Sequence, residues 1–376
     1  MIIMDLKLDN LRAFRSFHIN MSYPKKVLHS AIPDEYLSER TNFRYRKLNI
    51  LMGANATGKT SLGREITNIF AFIVRKDYLS LTNDIADKSI PASFTIEFVP
   101  DDHFELYRLS TTFDPSSDGQ YSNEMIHAHV RKTSIDTGDS YEMCVKKLDS
   151  FIDEEKLWNV VLEEIPSFSW YRTPVSSNSF VHIRNNADEN YMRIFSTTLK
   201  AIDPSIEEVC KIDGTNDSYV IKAKNLEVII QKGRILNQDL LSSGTRAGID
   251  IADMMSWLLN GVSRFFYCDE KFAYVCSDIE KAFLAVMTEN LPKDGQIFFT
   301  THNLDILEML YPKHSFCFLK KDVNNEAVPI SCIYTSDYLK RNTDSVRKAV
   351  ENDVFSAAPS VDLVYKLSDF KRKGAR

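Results

Sequence analysis

Between Leu48 and Phe72 the chain reads as an apolar strand, a glycine-bounded loop and an amphipathic helix. Few folds accommodate that succession. The loop, Gly53-Ala54-Asn55-Ala56-Thr57-Gly58-Lys59-Thr60, fits the phosphate-binding pattern of Gly, four residues and Gly-Lys-Thr. Leu48 to Met52 supplies the strand before it, and Ser61 to about Phe72 the helix after it. Glycines let backbone N–H groups curl round phosphates, and the helix N-terminus adds partial positive charge. In that role Lys59 reaches the β- and γ-phosphates and the Thr60 hydroxyl ligates Mg²⁺. The plain alternative is a Gly-rich turn joining strand to helix.

Three downstream segments bear on the choice. Leu241-Ser242-Ser243-Gly244-Thr245 precedes a helix carrying Ile249, Ala252, Met255, Leu258 and Leu259. Small residues there make an anion site from N–H groups and a serine hydroxyl, or simply cap the helix. Phe265-Phe266-Tyr267-Cys268-Asp269-Glu270 is a buried strand ending in two carboxylates. Asp269 would hold Mg²⁺ through its water shell and Glu270 would polarise an attacking water. Gln296-Ile297-Phe298-Phe299-Thr300-Thr301-His302 ends in a histidine placed to hydrogen-bond a γ-phosphate. Each segment is commonplace alone. From Gly244 to Asp269 is 25 positions and from Asp269 to His302 is 33, room each time for one helix and one strand. That alternation is what a doubly wound parallel sheet needs, with active groups at the strands' C-terminal ends.

Composition limits the function classes. The 376 residues are 44% hydrophobic and 26% charged, an ordinary globular balance. A formal charge of −6 argues mildly against coating nucleic acid, although a local basic patch is compatible with it. Arg44-Tyr45-Arg46-Lys47 and Lys371-Arg372-Lys373 read as solvated charge. No apolar run approaches the roughly 18 to 20 residues of a membrane span, and the N-terminus lacks a basic leader. The expectation is a cytoplasmic protein with no membrane partner. The six scattered cysteines, without a CxxC pair, are read as reduced packing residues. His127 and His129 share a strand face, but no third metal ligand lies near in sequence.

Along the chain, Asp5 to Met21 reads as strand, turn and strand, and residues 93–99 and 104–109 as a hairpin. Residues 140–166 have a helical pattern, 174–190 reads as a loop, and Met192 to Val209 is helical. Strands follow near 219–221 and 227–230. Four regions result: residues 1–135, a first lobe with the phosphate loop and hairpin; 136–215, a largely helical insertion; 216–340, a second lobe; and 341–376, a helical extension.

This motif order resembles the ATP-binding-cassette class of ATPases, notably the branch containing chromosome-maintenance and recombination-repair heads. LLSSGTRAG, FFYCDEKF and FFTTHNLDIL look like the AAA15-type ATPases of the overcoming-lysogenisation neighbourhood, subunits of bacterial anti-phage and abortive-infection systems. Leu8 to Phe14 resembles their first strand and turn near the adenine, and 340–353 their tail, while 110–235 matches only loosely. The implied fold is an α/β ATP-binding-cassette head: a mixed, largely parallel sheet behind the phosphate loop, an antiparallel β lobe and an inserted helical region.

Carried over by position, Gly53, Asn55, Gly58, Lys59, Thr60 and Ser61 are the Walker A contacts, Asp269 and Glu270 form Walker B, and His302 is the switch histidine. Ser242 and Gly244 are the signature residues, which in this class reach nucleotide bound by the opposite subunit. The resemblance therefore implies ATP and Mg²⁺ as cofactors and a head-to-tail homodimer with slow hydrolysis. The signature is SSGT rather than SGGQ, no Q-loop glutamine stands out, and Lys271 to Asp278 departs from the usual D-loop. Only 74 residues follow His302, without an acidic triad. The expected role is a sensor or scaffold restraining a separately encoded, nuclease-like effector. The alternatives are a DNA-repair or DNA-bridging ATPase, a transporter's energising subunit, and a scaffold that binds ATP without turnover.

Overall fold

The computed structural model describes the chain except residues 27–29, 152–155, 174–188, 213, 216–217, 225, 237–239, 322–328, 342, 356–361 and 368–376. The 174–190 loop reading, apart from its last two residues, and the 371–373 basic cluster lie outside the described residues.

Leu48–Met52 is buried along its whole length because both of its faces are covered. Its sheet has six strands, in the order 331–334, 316–320, 48–52, 296–300, 265–269, 170–172. All pairings are parallel except that of the outer strand Ser331–Tyr334 with Phe316–Lys320. The helix Lys59–Arg75 covers one face with Leu62, Ile66, Ile69, Phe70 and Ile73. The helices Ser243–Leu259 and Ser277–Asn290 cover the other through Ile251, Met254, Met255, Leu258, Leu284 and Met287. Such two-sided burial explains why these strands read as continuous apolar runs rather than alternations.

A five-stranded antiparallel sheet, 17–20, 2–9, 92–99, 105–113, 126–134, packs beside this layer. A bulge between Ile3 and Asp5 shifts the strand's parity. Ile3, Leu6 and Leu8 consequently face one core, while Ile2 and Met4 face another with Phe43, Tyr45, Tyr141 and Leu148. Helix and sheet meet closely at Gly63, where a Cβ would lie 2.4 Å from the buried Tyr267 ring. The Tyr267 hydroxyl donates to Lys59 O at 2.6 Å, tying the helix start to the neighbouring strand.

Several sequence expectations need correction. The helix expected over Met192 to Val209 runs Glu189–Ile202 and gives way to the strand Ile206–Lys211. Pro204 disfavours helical backbone at Asp203, whose carboxylate instead accepts from Ser205 N at 3.0 Å. The strand joins an antiparallel sheet of order 206–211, 218–223, 226–231, 234–235, which shares a core with Tyr191, Phe195, Leu199 and Ile249. The helical pattern over 140–166 resolves, among the described residues, into the separate helices Tyr141–Asp149 and Trp158–Val161 with a short 3₁₀ turn after the second. The strand Trp170–Arg172 was not expected; three residues are too few to show a period. Finally, Cys317 and Cys332 form a disulfide, against the reading of six unpaired thiols. The antiparallel pairing of their strands brings together positions 15 residues apart, which spacing alone does not reveal.

Candidate functional site

Parallel pairing aligns Leu51 with Thr300, Thr300 with Asp269, and Tyr267 with Arg172. The strand ends therefore deliver Gly53, Thr301, His302, Asp269, Glu270 and Arg172 to one edge of the sheet. The loop wraps there because two positions take backbone angles that suit glycine, φ 141° at Gly53 and φ 100° at Gly58. A Cβ on Gly53 would come 2.5 Å from Leu319 O, and one on Gly58 3.4 Å from the Phe14 ring. The first turn of the chain thus rests against the loop.

Lys59, buried at the helix start, donates from Nζ to Gly53 O at 2.9 Å and Ala54 O at 3.2 Å. Glu270 Oε1 is 3.3 Å from the same nitrogen. Burial lowers the Lys59 pKa, with Glu270 and then Asp269 opposing that shift. Thr60 Oγ1 donates to Asp269 Oδ1 at 3.1 Å, and Thr300 Oγ1 contacts the same oxygen at 3.3 Å. Glu270 has φ 50° and donates its N–H to Thr300 Oγ1 at 2.8 Å, which turns its side chain toward His302. His302 Nε2 lies 3.0 Å from Glu270 Oε1. Lys59, Thr60, Asp269, Glu270 and His302 therefore form one contiguous cluster, although 243 positions separate the first from the last. Asn55 is exposed on the loop and lines a cavity of about 630 Å³ with His302, Phe318 and Phe355. Ser61 is half-buried in the first helical turn.

Ser242 and Gly244 lie elsewhere in the chain. Ser242 caps the helix Ser243–Leu259, its Oγ accepting from Thr245 N at 3.0 Å, and the Thr245 hydroxyl also reaches Asp203. A Cβ on Gly244 would sit 3.3 Å from Tyr274 O. Among the described residues, the hydrogen bonds of Ser242 and Thr245 do not include the loop 53–60. His127, an exposed side chain of the strand Ile126–Ser134, has its Nε2 2.9 Å from Asp114 Oδ2.

Sequence reasoning missed three supporting residues. Thr173 Oγ1 accepts from Asp269 N at 2.8 Å. Glu280 accepts from Thr301 Oγ1 at 2.7 Å and Asn303 Nδ2 at 2.8 Å, which fixes the segment carrying His302. Burial raises the Glu280 pKa against those two hydrogen bonds. Arg172 contacts Asp269 directly, Nη2 to Oδ2 at 3.1 Å. An acidic position in a helix, or an arginine after an aromatic pair, carries no local signal of such a role.

The helix also carries a charge cluster next to the chain's first turn. Arg12 donates to Asp84 at 2.8 and 2.5 Å, and its Nε lies 2.9 Å from Oε1 of the fully buried Glu65. Asn68 Nδ2 holds the same Asp84 at 2.9 Å. Burial first, then Asp84, pushes the Glu65 pKa from 4.5 up to about 8, with Arg12 opposing. The folded state thus binds more protons than the unfolded state between those values, and stability falls as pH rises through that window. The expected slope reaches about 1.4 kcal/mol per pH unit for one proton. Urea midpoints measured from pH 4.5 to 8 should decline in the wild type and decline less in Glu65→Gln; parallel profiles would show that Glu65 is not the group involved.

Comparison with family models and with curated proteins gives no match. Solved structures do match. An Smc head bound to the C-terminal winged-helix domain of ScpA superposes with TM-score 0.54 at 12% identity, covering 90% of this chain and all of that one. A Pyrococcus furiosus Smc head with an extended coiled coil, bound to the C-terminal domain of ScpA, gives TM-score 0.52 at 10% identity, with 90% and 98% coverage. Nearly the whole of this chain therefore has the mixed α/β fold of the ATP-binding-cassette head, the fold class expected from the motif order.

Proposed function

We propose that this protein is an ATP-binding-cassette ATPase that binds Mg·ATP at the cluster of Lys59, Thr60, Asp269, Glu270 and His302. The observation that carries the reading is the 3.1 Å approach of Thr60 Oγ1 to Asp269 Oδ1 beside a loop that Gly53 and Gly58 curl through positive φ angles. Two hard oxygen donors of that kind suit Mg²⁺, which when bound would neutralise phosphate charge. Gly53 to Gly58 cradle the phosphates through backbone N–H groups, and Lys59 offers its ammonium to them. Glu270 orients and accepts a proton from the attacking water. His302, positioned through Thr301, Asn303 and Glu280, holds Glu270 and the terminal phosphate oxygen.

Ser242 and Gly244 serve a partner copy's nucleotide in this reading, as the trans signature of a head-to-tail homodimer. The roles of Asn55 and Ser61 as phosphate contacts belong to the same proposal. Control of a nuclease-like effector in phage defence rests on motif resemblance alone. The DNA-directed alternative has its own support in the Smc-head fold. Against it, the described helices reach 17 residues at most, and the segment between Walker A and the signature contains a small β sheet.

Calorimetric titration and a phosphate-release assay test the reading. Mg·ATP is expected to bind with an affinity between about 1 μM and 1 mM, the range usual for enzyme substrates, and to turn over slowly. Absence of binding would refute it. Strong stimulation by DNA ends would favour the DNA-directed alternative.

A further inference from the structure

Arg172 ends the edge strand Trp170–Arg172, beside the strand that carries Asp269. Its Nη2 donates to Asp269 Oδ2 at 3.1 Å and to Thr60 O at 3.3 Å, while Thr60 Oγ1 and Thr300 Oγ1 take Oδ1. Both oxygens of this carboxylate are thus engaged by protein groups. The guanidinium carbon also sits 6.0 Å from the Tyr267 ring centre. Thr173 anchors the position from the next residue, its N–H donating to Tyr267 O at 3.0 Å. Arg172 Nε is buried and has no hydrogen-bond partner among the described residues. A guanidinium cannot shed its charge, and the Asp269 side chain is only 2% exposed, so solvent screens the pair weakly.

We propose that Arg172 sets the divalent-cation requirement of the site, by sharing the Asp269 carboxylate with the metal. This rests on the Mg·ATP reading above. A fixed positive charge on Oδ2 lowers the negative potential that draws a cation to Asp269, so more cation is needed to assemble the complex. An arginine that only braced the strand would alter stability without moving the cation midpoint at constant fold.

The test follows binding of a fluorescent ATP analogue by anisotropy while Mg²⁺ is titrated into chelator-treated protein. Removing the charge in Arg172→Gln or Arg172→Met should lower the Mg²⁺ midpoint about tenfold, a modest share of a close charge pair's energy. Arg172→Lys keeps the charge and should stay near wild type. An unchanged or higher midpoint in the neutral variants overturns the proposal. So does weaker nucleotide binding at saturating Mg²⁺ with the midpoint unmoved, which would place Arg172 on the phosphate instead. Loss of folding in both neutral variants would assign it a structural role. If wild-type protein fails to bind the analogue even at saturating Mg²⁺, the ATP reading itself falls, a result distinct from all of these.

Discussion

Lys59→Ala is expected to weaken ATP binding by roughly a hundredfold, since charge-assisted hydrogen bonds contribute about 1.5–3 kcal/mol each. Three effects add in the same direction. The ammonium offered to the phosphates is lost, and so are the contacts at 2.9 and 3.2 Å that draw Gly53 O and Ala54 O inward and hold the loop's curl. Removing Lys59 also leaves Glu270 without the cation 3.3 Å away, which adds repulsion toward an anionic ligand. Titration calorimetry on folded variant protein provides the measurement, with a thermal melt to establish that the fold survives. An affinity equal to wild type would remove the loop from the binding site.

Glu270→Gln separates binding from turnover. A positioned general base typically contributes about 10²- to 10⁴-fold, so hydrolysis should fall by that order while ATP affinity changes only a few-fold. Glutamine matches glutamate in shape and retains an oxygen toward His302, which is 3.0 Å from Glu270 Oε1. With the γ-phosphate preserved, the proposed sandwich dimer should accumulate. Gel filtration with light scattering should then show the mass of a dimer with Mg·ATP and of a monomer without it. A variant no more oligomeric with ATP than without would sink the dimer mechanism, even if its ATPase loss matched expectation.

Much of the local structure was legible because it depends on neighbours in sequence. Leu48–Met52 announced itself by an apolar run, interrupted only at Asn49, and by the glycine after it. The hairpin Ala92–Val99 and Glu105–Phe113 was marked by alternation around Pro100-Asp101-Asp102-His103, although its second strand runs four residues further than expected. The failures were equally local in cause. Helical spacing after Met192 outweighed the stop signal of Asp203-Pro204, and the strand Ile206–Lys211 forms through pairing with Ser218–Ala223. Its outward-facing glutamates give no β signal of their own.

The site divides in the same way. Sequence by itself located the glycine-bounded loop 53–60, the paired carboxylates after Cys268 and the histidine after Thr301, since each sits at a strand end whose apolar run identifies it. It also determined their order, and hence a parallel sheet that collects them on one edge. Tertiary structure alone decided what holds them there. Arg172 reaches Asp269 only because a three-residue edge strand pairs with its neighbour, and Glu280 fixes Thr301 and Asn303 only because its helix packs on the sheet. Glu65 acquires its raised pKa from burial beside Asp84, 19 residues away in sequence. These contacts join residues on separate elements, and their energies depend on burial and on angles set by packing. Residue type and spacing carry neither quantity.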